Sequence, residues 1–250
     1  MQRDYDIIVW GATGFTGKLV TRYMEQNYIQ GNLKWAVAGR NKSKLNSLDI
    51  SEENILIADS NDQESINQLV QKTRVILTAV GPYARYGSGL VAACAKHGTH
   101  YCDLTGEVYW MRRMIEEYSS MAKDSGAKIV HTCGFDSIPS DLGTYFLQQA
   151  MMERFGVPAN HVKYRSVAFK GGFSGGTADS MMAMMENAER DPVVLEIGKD
   201  PYALNFTSRG PDSNDLDTAF YDEDFDAWIA PFIMAQINTR VARRTNELLE

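Results

Sequence analysis

The sequence predicts an α/β protein, a Rossmann-type doubly wound parallel sheet followed by a second, α+β domain. Three observations carry that expectation. Short β-rich runs alternate with helix-patterned segments over roughly the first half of the chain. The runs are continuously apolar, and a glycine triplet, "GATGFTG", stands at the first strand-to-helix junction. Alternation of this kind signals parallel strands joined by crossover helices. Unbroken apolar runs are what strands need when helices cover both faces of their sheet.

The predicted strands are Asp6–Trp10, Lys34–Ala38, Asn54–Ala58, Val75–Val80, His100–Asp103 and Lys128–His131. Between them the helical pattern covers Gly17–Gln26, Lys42–Leu48, Asp62–Lys72, Ser88–Lys96 and Val108–Lys123. Asn61 followed by Glu64 reads as a capping box at the start of the third helix. A further helix is expected over Asp141–Arg154. The rhythm then breaks, and the division falls between residues 1–155 and residues 156–250. In the second part Val162–Phe169 reads as a strand. It meets "KGGFSGGTADS", a glycine-rich turn entering the Met-rich segment Ala178–Ala188. Asp212–Asp226, with six Asp and one Glu, reads as a solvated loop. Its "DSNDLD" lacks the glycine and the closing glutamate of a calcium-binding EF-hand. Ala230–Leu249 is an amphipathic helix with Met234, Val241 and Leu248 on one stripe and Arg240 with Arg244 on another.

Composition narrows the function classes. The 250 residues are 44% hydrophobic and 23% charged, with a formal net charge of −7. A surplus of acid disfavours nucleic acid as a partner, because phosphate binding needs a face rich in Lys and Arg. Cys94, Cys102 and Cys133 form no C-x-x-C pair, which argues against a disulfide framework or a cysteine zinc site and fits a reducing compartment. The N-terminus lacks the apolar core of a signal peptide, and no apolar run is long enough to span a bilayer. A cytoplasmic protein is expected, with peripheral lipid association left open, and no metal site is expected.

The glycine triplet is the strongest local signal. A dinucleotide turn needs one glycine for the tight bend and one where the backbone meets the pyrophosphate. A third lets helix and strand pack closely. Gly11, Gly14 and Gly17 fit these roles, and Thr13, Phe15 and Thr16 complete the turn. The spacing is G-x-x-G-x-x-G, as in the short-chain reductases. At the end of the second strand an NAD site usually carries an acidic residue for the ribose 2′-hydroxyl. Here "AGRNK" places Arg40 and Asn41 there instead. A guanidinium grips a 2′-phosphate and a carboxylate would repel it, so NADP(H) is expected over NAD(H). Asp59 is a candidate for the adenine end, and Val80, Gly81 and Pro82 for the nicotinamide end.

Later loops at the C-terminal ends of the strands gather Tyr83, Tyr86, Asp103, Glu107, His131, Asp136 and Ser137 on one edge of the sheet, where ligands of open α/β sheets bind. Hydride transfer needs positioning above all, and reduction of a double bond also needs a proton donor. None of the 12 tyrosines has Lys four residues on, which disfavours the Tyr-x-x-x-Lys mechanism of the short-chain reductases. Tyr83, Tyr86, His131 and Asp136 are the candidate donors. His131 as a structural histidine and the two tyrosines as packing aromatics are the competing readings. No H-E-x-x-H motif is present. Ser174, Thr177 and Ser180 have no adjacent base, and their stretch reads as a helix N-terminus open to an anionic group. The Met-rich segment is read as core, with an acyl-chain pocket as the alternative. Arg240, Arg243 and Arg244 are read as a solvated face, with a carboxylate or phosphate site as the alternative.

Taken together, "GATGFTGKL", "AGRN", "VGPYARYG", "CDLTGE", "GFDSIPSDLG" and "GGFSGGT" resemble the saccharopine dehydrogenase-like oxidoreductases, a family that includes the trans-acting enoyl reductases of mycobacterial lipid synthesis. The resemblance covers essentially the whole chain. It implies an N-terminal NAD(P)-binding Rossmann domain, a C-terminal domain with a mixed sheet, and cofactor positions at Gly11, Gly14, Gly17 and Arg40. Members are usually longer, so an incomplete second domain is expected. The expected function is NADP(H)-dependent hydride transfer to or from an acyl or lipid-linked substrate, with a homodimer as one assembly. The alternatives are an NADP-binding sensor or assembly partner without turnover, and a saccharopine-type amino-acid dehydrogenase.

Overall fold

Strands β1 (Tyr5–Trp10), β2 (Trp35–Gly39), β3 (Ile55–Ile57), β4 (Thr73–Thr78), β5 (His100–Cys102) and β6 (Ile129–Val130) form one parallel sheet in the order β3-β2-β1-β4-β5-β6. The computed structural model describes residues 3–28, 31–168, 170–172, 175–212 and 215–249. The chain divides into two compact units: Met1–Thr105 with Arg113–Cys133 and Phe173–Met184, and Gly106–Arg112 with Gly134–Gly172 and Met185–Glu250.

In the first unit the sheet grows outward in both directions from β1 and β4, which opens a crevice at their C-terminal ends. Val9 stands beside Val37 on one side and Leu77 on the other. Ile8, Val9, Ala36, Val37 and Ile76 are wholly buried, each large one contributing about 1.5–3 kcal/mol by leaving water. Helix α1 (Phe15–Tyr28) turns Gly17, Thr21 and Met24 inward at helical spacing. Met24 joins Val9, Ala12, Trp35, Val37 and Leu45 in the core. Helices α2 (Lys42–Leu45), α3 (Gln63–Gln71), α4 (Tyr83–Tyr86), α5 (Ser88–His97) and α6 (Val108–Ser125) complete the alternation. The expected elements are all present in this half, with ends shifted by a few residues.

Two caps show how the sequence starts these helices. Asn41 Oδ1 accepts the Lys44 N–H at 2.9 Å at the start of α2. The cap of α3 is Asp62, whose carboxylate accepts the Glu64 N–H at 3.0 Å. The expected Asn61 cap is therefore corrected by one residue: Asn61 donates its own N–H to Asp59 Oδ1 at 3.0 Å, which holds the preceding turn.

In the second unit α7 (Ile138–Phe155) begins three residues before the expected helix, with Pro139 in its first turn, and ends at Gly156 with φ of +71°. It packs against α10 (Ala235–Leu249). Helix α8 (Gly175–Arg190), which belongs to the first unit as far as Met184, contains the Met-rich segment, and α9 (Val193–Lys199) follows it. Strands β7 (Phe220–Asp222) and β8 (Ala227–Ile229) make an antiparallel hairpin.

Three expectations fail in this unit, each for a stated reason. Val162–Ala168 is not a strand; Phe169, and Ser174 further on, lie outside the described residues. The two-residue spacing that suggested a strand puts Lys163 and Arg165 on one side of the chain, and both reach Asp222, at 3.1 and 2.8 Å. The segment Asp212–Asp226 is correspondingly not a plain solvated loop. It contains β7, and Asp222 is only 2% exposed because those two cations neutralise it. Arg240 is not on a solvated face either. It is 1% exposed, ion-paired with Asp215, and donates to the carbonyls of Asp200 and Gly198, each at 3.1 Å.

Candidate cofactor site

The glycine turn after β1 is built by three contacts. Gly11 takes φ of +87°, open to glycine at little cost, and its N–H donates to the Ala38 carbonyl at 3.0 Å. The Gly11 carbonyl then accepts the Gly14 N–H at 3.0 Å. Gly17, in the first turn of α1, lies so close to this bend that a Cβ there would stand 2.0 Å from the Gly11 oxygen and 2.9 Å from Ala12 Cα. Helix and turn can therefore approach only through a glycine. A Cβ on Gly14, by contrast, would meet only the Gly11 oxygen, at 3.4 Å. The bend sets the start of α1, where the first N–H groups lie ahead of the helical ladder and favour an anion.

In front of this turn is a cleft of about 260 Å³. Trp10, Gly11, Thr13 and Gly14 form one wall. Gly39 and Arg40 come from the end of β2, Ala58 and Ser60 from beyond β3, Ala79, Val80 and Gly81 from beyond β4, and Tyr86 from α4. Among the described residues no carboxylate lines it. Arg40 is exposed. Lys42, by contrast, reaches Glu52 at 3.6 Å across an exposed surface. A cradle of backbone N–H groups, a glycine floor and one arginine fit the phosphates of a dinucleotide, and the 2′-phosphate in particular.

Of the residues expected at the cofactor, Gly11, Thr13, Gly14, Arg40, Val80 and Gly81 line the cleft. Gly17 supports it from behind. Phe15 opens α1 and is 74% exposed, and Thr16 follows it in the first turn. Asn41 is engaged as the α2 cap, Asp59 as the acceptor of the next turn, and Pro82 is buried behind Gly81. Trp10, Gly39, Ala58, Ser60 and Ala79 belong to the cleft and were not expected there. Their signal is positional, since each directly precedes or follows an expected residue at a strand end.

The four candidate proton donors do not form one group. Tyr86 lines the cleft. Tyr83 is buried, and its hydroxyl donates to the Thr78 carbonyl at 3.2 Å. His131 Nδ1 lies 2.7 Å from Asp103 Oδ2. Asp136 belongs to the second unit, where burial pushes its carboxyl up from the usual range and its carbonyl accepts Asn238 Nδ2 at 2.8 Å.

Asp103 is the organising residue of the adjoining strand ends. It is 2% exposed. Its Oδ2 accepts the Tyr101 hydroxyl at 2.8 Å, and Oδ1 accepts the N–H groups of Thr105 and Thr132, each at 3.0 Å. The Asp103 carbonyl takes the Cys133 N–H at 2.7 Å. One buried carboxylate thus ties the ends of β5 and β6 together, and burial beside it drives the Tyr101 hydroxyl well above its ordinary range.

The sheet order, the glycine bend and the cleft at the β1/β4 switch point define a dinucleotide-binding domain of the doubly wound class. Residues 7–130 match the saccharopine dehydrogenase NADP binding domain family. A Mycobacterium tuberculosis protein whose name places it provisionally among trans-acting enoyl reductases is 41% identical over 263 aligned positions, covering 99% of this chain and 62% of its own length. The trans-acting enoyl reductase of Mycobacterium ulcerans is 36% identical over 263 positions, with the same coverage. The chain belongs to the saccharopine dehydrogenase-like family, and its N-terminal unit contains an NADP-binding domain. It spans about three fifths of the length of these relatives. Among solved structures, a saccharopine dehydrogenase (L-Glu forming) from Saccharomyces cerevisiae gives a TM-score of 0.43 at 14% identity, over 61% of this chain and 32% of that one. Among the described residues no helix is long and apolar enough to cross a membrane.

Proposed function

We propose that the protein is an NADP(H)-dependent oxidoreductase that reduces an acyl or lipid-linked substrate in the manner of an enoyl reductase. The observation that carries this reading is the cleft itself: a glycine cradle at the strand switch point with Arg40 on its wall and no carboxylate among the described residues. The names of the mycobacterial relatives supply the substrate class. In this reading the Gly11–Gly17 turn and the start of α1 hold the pyrophosphate, and Arg40 holds the 2′-phosphate, which makes NADP(H) preferred over NAD(H). The bound nicotinamide supplies a hydride. The chain's own tasks are to orient that ring against Val80 and Gly81, to exclude water, and to provide a proton. Tyr86 is the donor best placed, because it alone among the four candidates lines the cleft. In this reading residues 1–155 hold the cofactor, and residues 156–250 are a substrate or dimerisation domain.

The test is a titration with NADPH and with NADH, following quenching of Trp10, which lines the cleft. Binding of NADPH at least tenfold tighter than NADH, with Arg40→Asp abolishing the difference, supports the reading. A guanidinium–phosphate bond is worth about 1.5–3 kcal/mol, or roughly ten- to hundredfold. Equal affinity for both cofactors refutes the Arg40 assignment, and binding of neither refutes the site. Tyr86→Phe then keeps NADPH affinity and lowers turnover of an enoyl thioester.

A further inference from the structure

Two of the three cysteines sit at the ends of neighbouring strands. Cys102 closes β5, and its register partner on β6 is Val130. Cys133 follows β6 by three residues, and the turn between them bends back, with Thr132 at φ of +58°. That bend returns the Cys133 sulfur to 3.6 Å from the Val130 carbonyl, beside the end of β5. Its backbone is fixed there by the N–H bond to the Asp103 carbonyl, one residue beyond Cys102. The same Val130 carbonyl accepts the Asp103 N–H at 3.3 Å, so the Cys133 sulfur stands beside the stretch of β5 that carries Cys102. Cys133 is exposed, Cys102 half-buried and Cys94 fully buried.

We propose that Cys102 and Cys133 form a reversible dithiol–disulfide pair, which on oxidation by a hydroperoxide clamps the His131–Cys133 turn covalently onto the end of β5. The exposed Cys133 sulfur is oxidised first. It takes an oxygen from the peroxide as a sulfenic acid, releasing one water. The Cys102 sulfur then attacks it, the S–S bond forms, and the sulfenic oxygen leaves as a second water. Two thiols and one peroxide thus give one disulfide and two waters, the two electrons passing to the peroxide. In a reducing compartment the dithiol is the resting state. Cys94, fully buried, serves as an internal control. The neighbouring Cys133 and burial push the Cys102 thiol up as well, so Cys102 acts only on the sulfenic acid that the exposed Cys133 forms first.

The reduced chain is treated with hydrogen peroxide, and its thiols are mapped by maleimide labelling and peptide mass spectrometry. The expected result is loss of the Cys102 and Cys133 thiols together, in a monomer, with one cross-linked peptide pair, full reversal by dithiothreitol, and Cys94 still labelled. The oxidised protein also gains in thermal midpoint, because a link between residues 102 and 133 restricts the unfolded chain. Cys133→Ser, at an exposed position, abolishes both effects. Oxidation of Cys133 to an irreversible acid with Cys102 intact overturns the proposal. So does a disulfide between two chains, or retention of all thiols.

Discussion

Replacing Gly17 by alanine tests the cofactor turn most directly. The added methyl would stand 2.0 Å from the Gly11 oxygen and 2.7 Å from the Gly11 carbonyl carbon, both backbone atoms. To reach the 3.4 Å of an ordinary contact, helix and turn must separate by about 1.4 Å. Overpacking of this kind costs about 1–3 kcal/mol. Alanine recovers about 1 kcal/mol of helix propensity. A net loss of up to about 2 kcal/mol follows, which for a chain of this size lowers the thermal midpoint by about 4–8 °C. The functional loss is larger than the stability loss, because a displacement of that size moves the N–H groups of α1 out of reach of the phosphates. The assay pairs a urea melt with NADPH titration on the same sample. If Gly17→Ala binds NADPH as tightly as the parent at unchanged stability, the close approach of α1 to the turn does not build the site.

Three further outcomes follow from other parts of the structure. Gly14→Ala leaves stability within about 0.5 kcal/mol, since its methyl meets only one atom at 3.4 Å, yet weakens NADPH by at least tenfold because it enters the cradle; a titration beside a melt separates the two. Glu247 accepts the N–H groups of Phe206, Thr207 and Ser208 at 2.8, 2.6 and 3.0 Å and pairs with Arg244, which together hold its carboxyl down to about 2 despite burial. A depressed carboxyl contributes above its unfolded value of 4.5, so about 3 kcal/mol of stability is lost as pH falls from 4.5 toward 2, and Glu247→Gln flattens that limb of a pH–stability curve. Arg240→Ala strands Asp215 and two carbonyls in a buried site and costs about 3–5 kcal/mol, read as a loss of urea midpoint, and unchanged stability would mean that Arg240 is solvated after all.

What the sequence alone determined is the parallel sheet with its crossover helices. Continuous apolar runs such as "IIVW" and "WAVA" can be satisfied only between two layers of helices, and the glycine triplet at the first junction has few other uses. Those signals are local, so strands, helices, the glycine bend and the place of Arg40 at the end of β2 could be read from the residues that form them. Apart from the one-residue shift of the α3 cap, the misreadings fall where a residue's state depends on a distant partner. Arg240 and Asp222 look solvated in sequence, because nothing adjacent shows that Asp215, or Lys163 and Arg165, will neutralise them. The Val162–Ala168 pattern is that of a strand, but a strand exists only if another segment takes up its backbone groups. Tyr83 and Tyr86 stand three residues apart in one short helix, yet one ring is buried beneath the Thr78 carbonyl while the other faces the cleft. Cys102 and Cys133 are far apart in sequence and neighbours only because β6 pairs with β5. Tertiary structure decided each of these, since burial and charge pairing are properties of the surroundings and a residue type fixes neither.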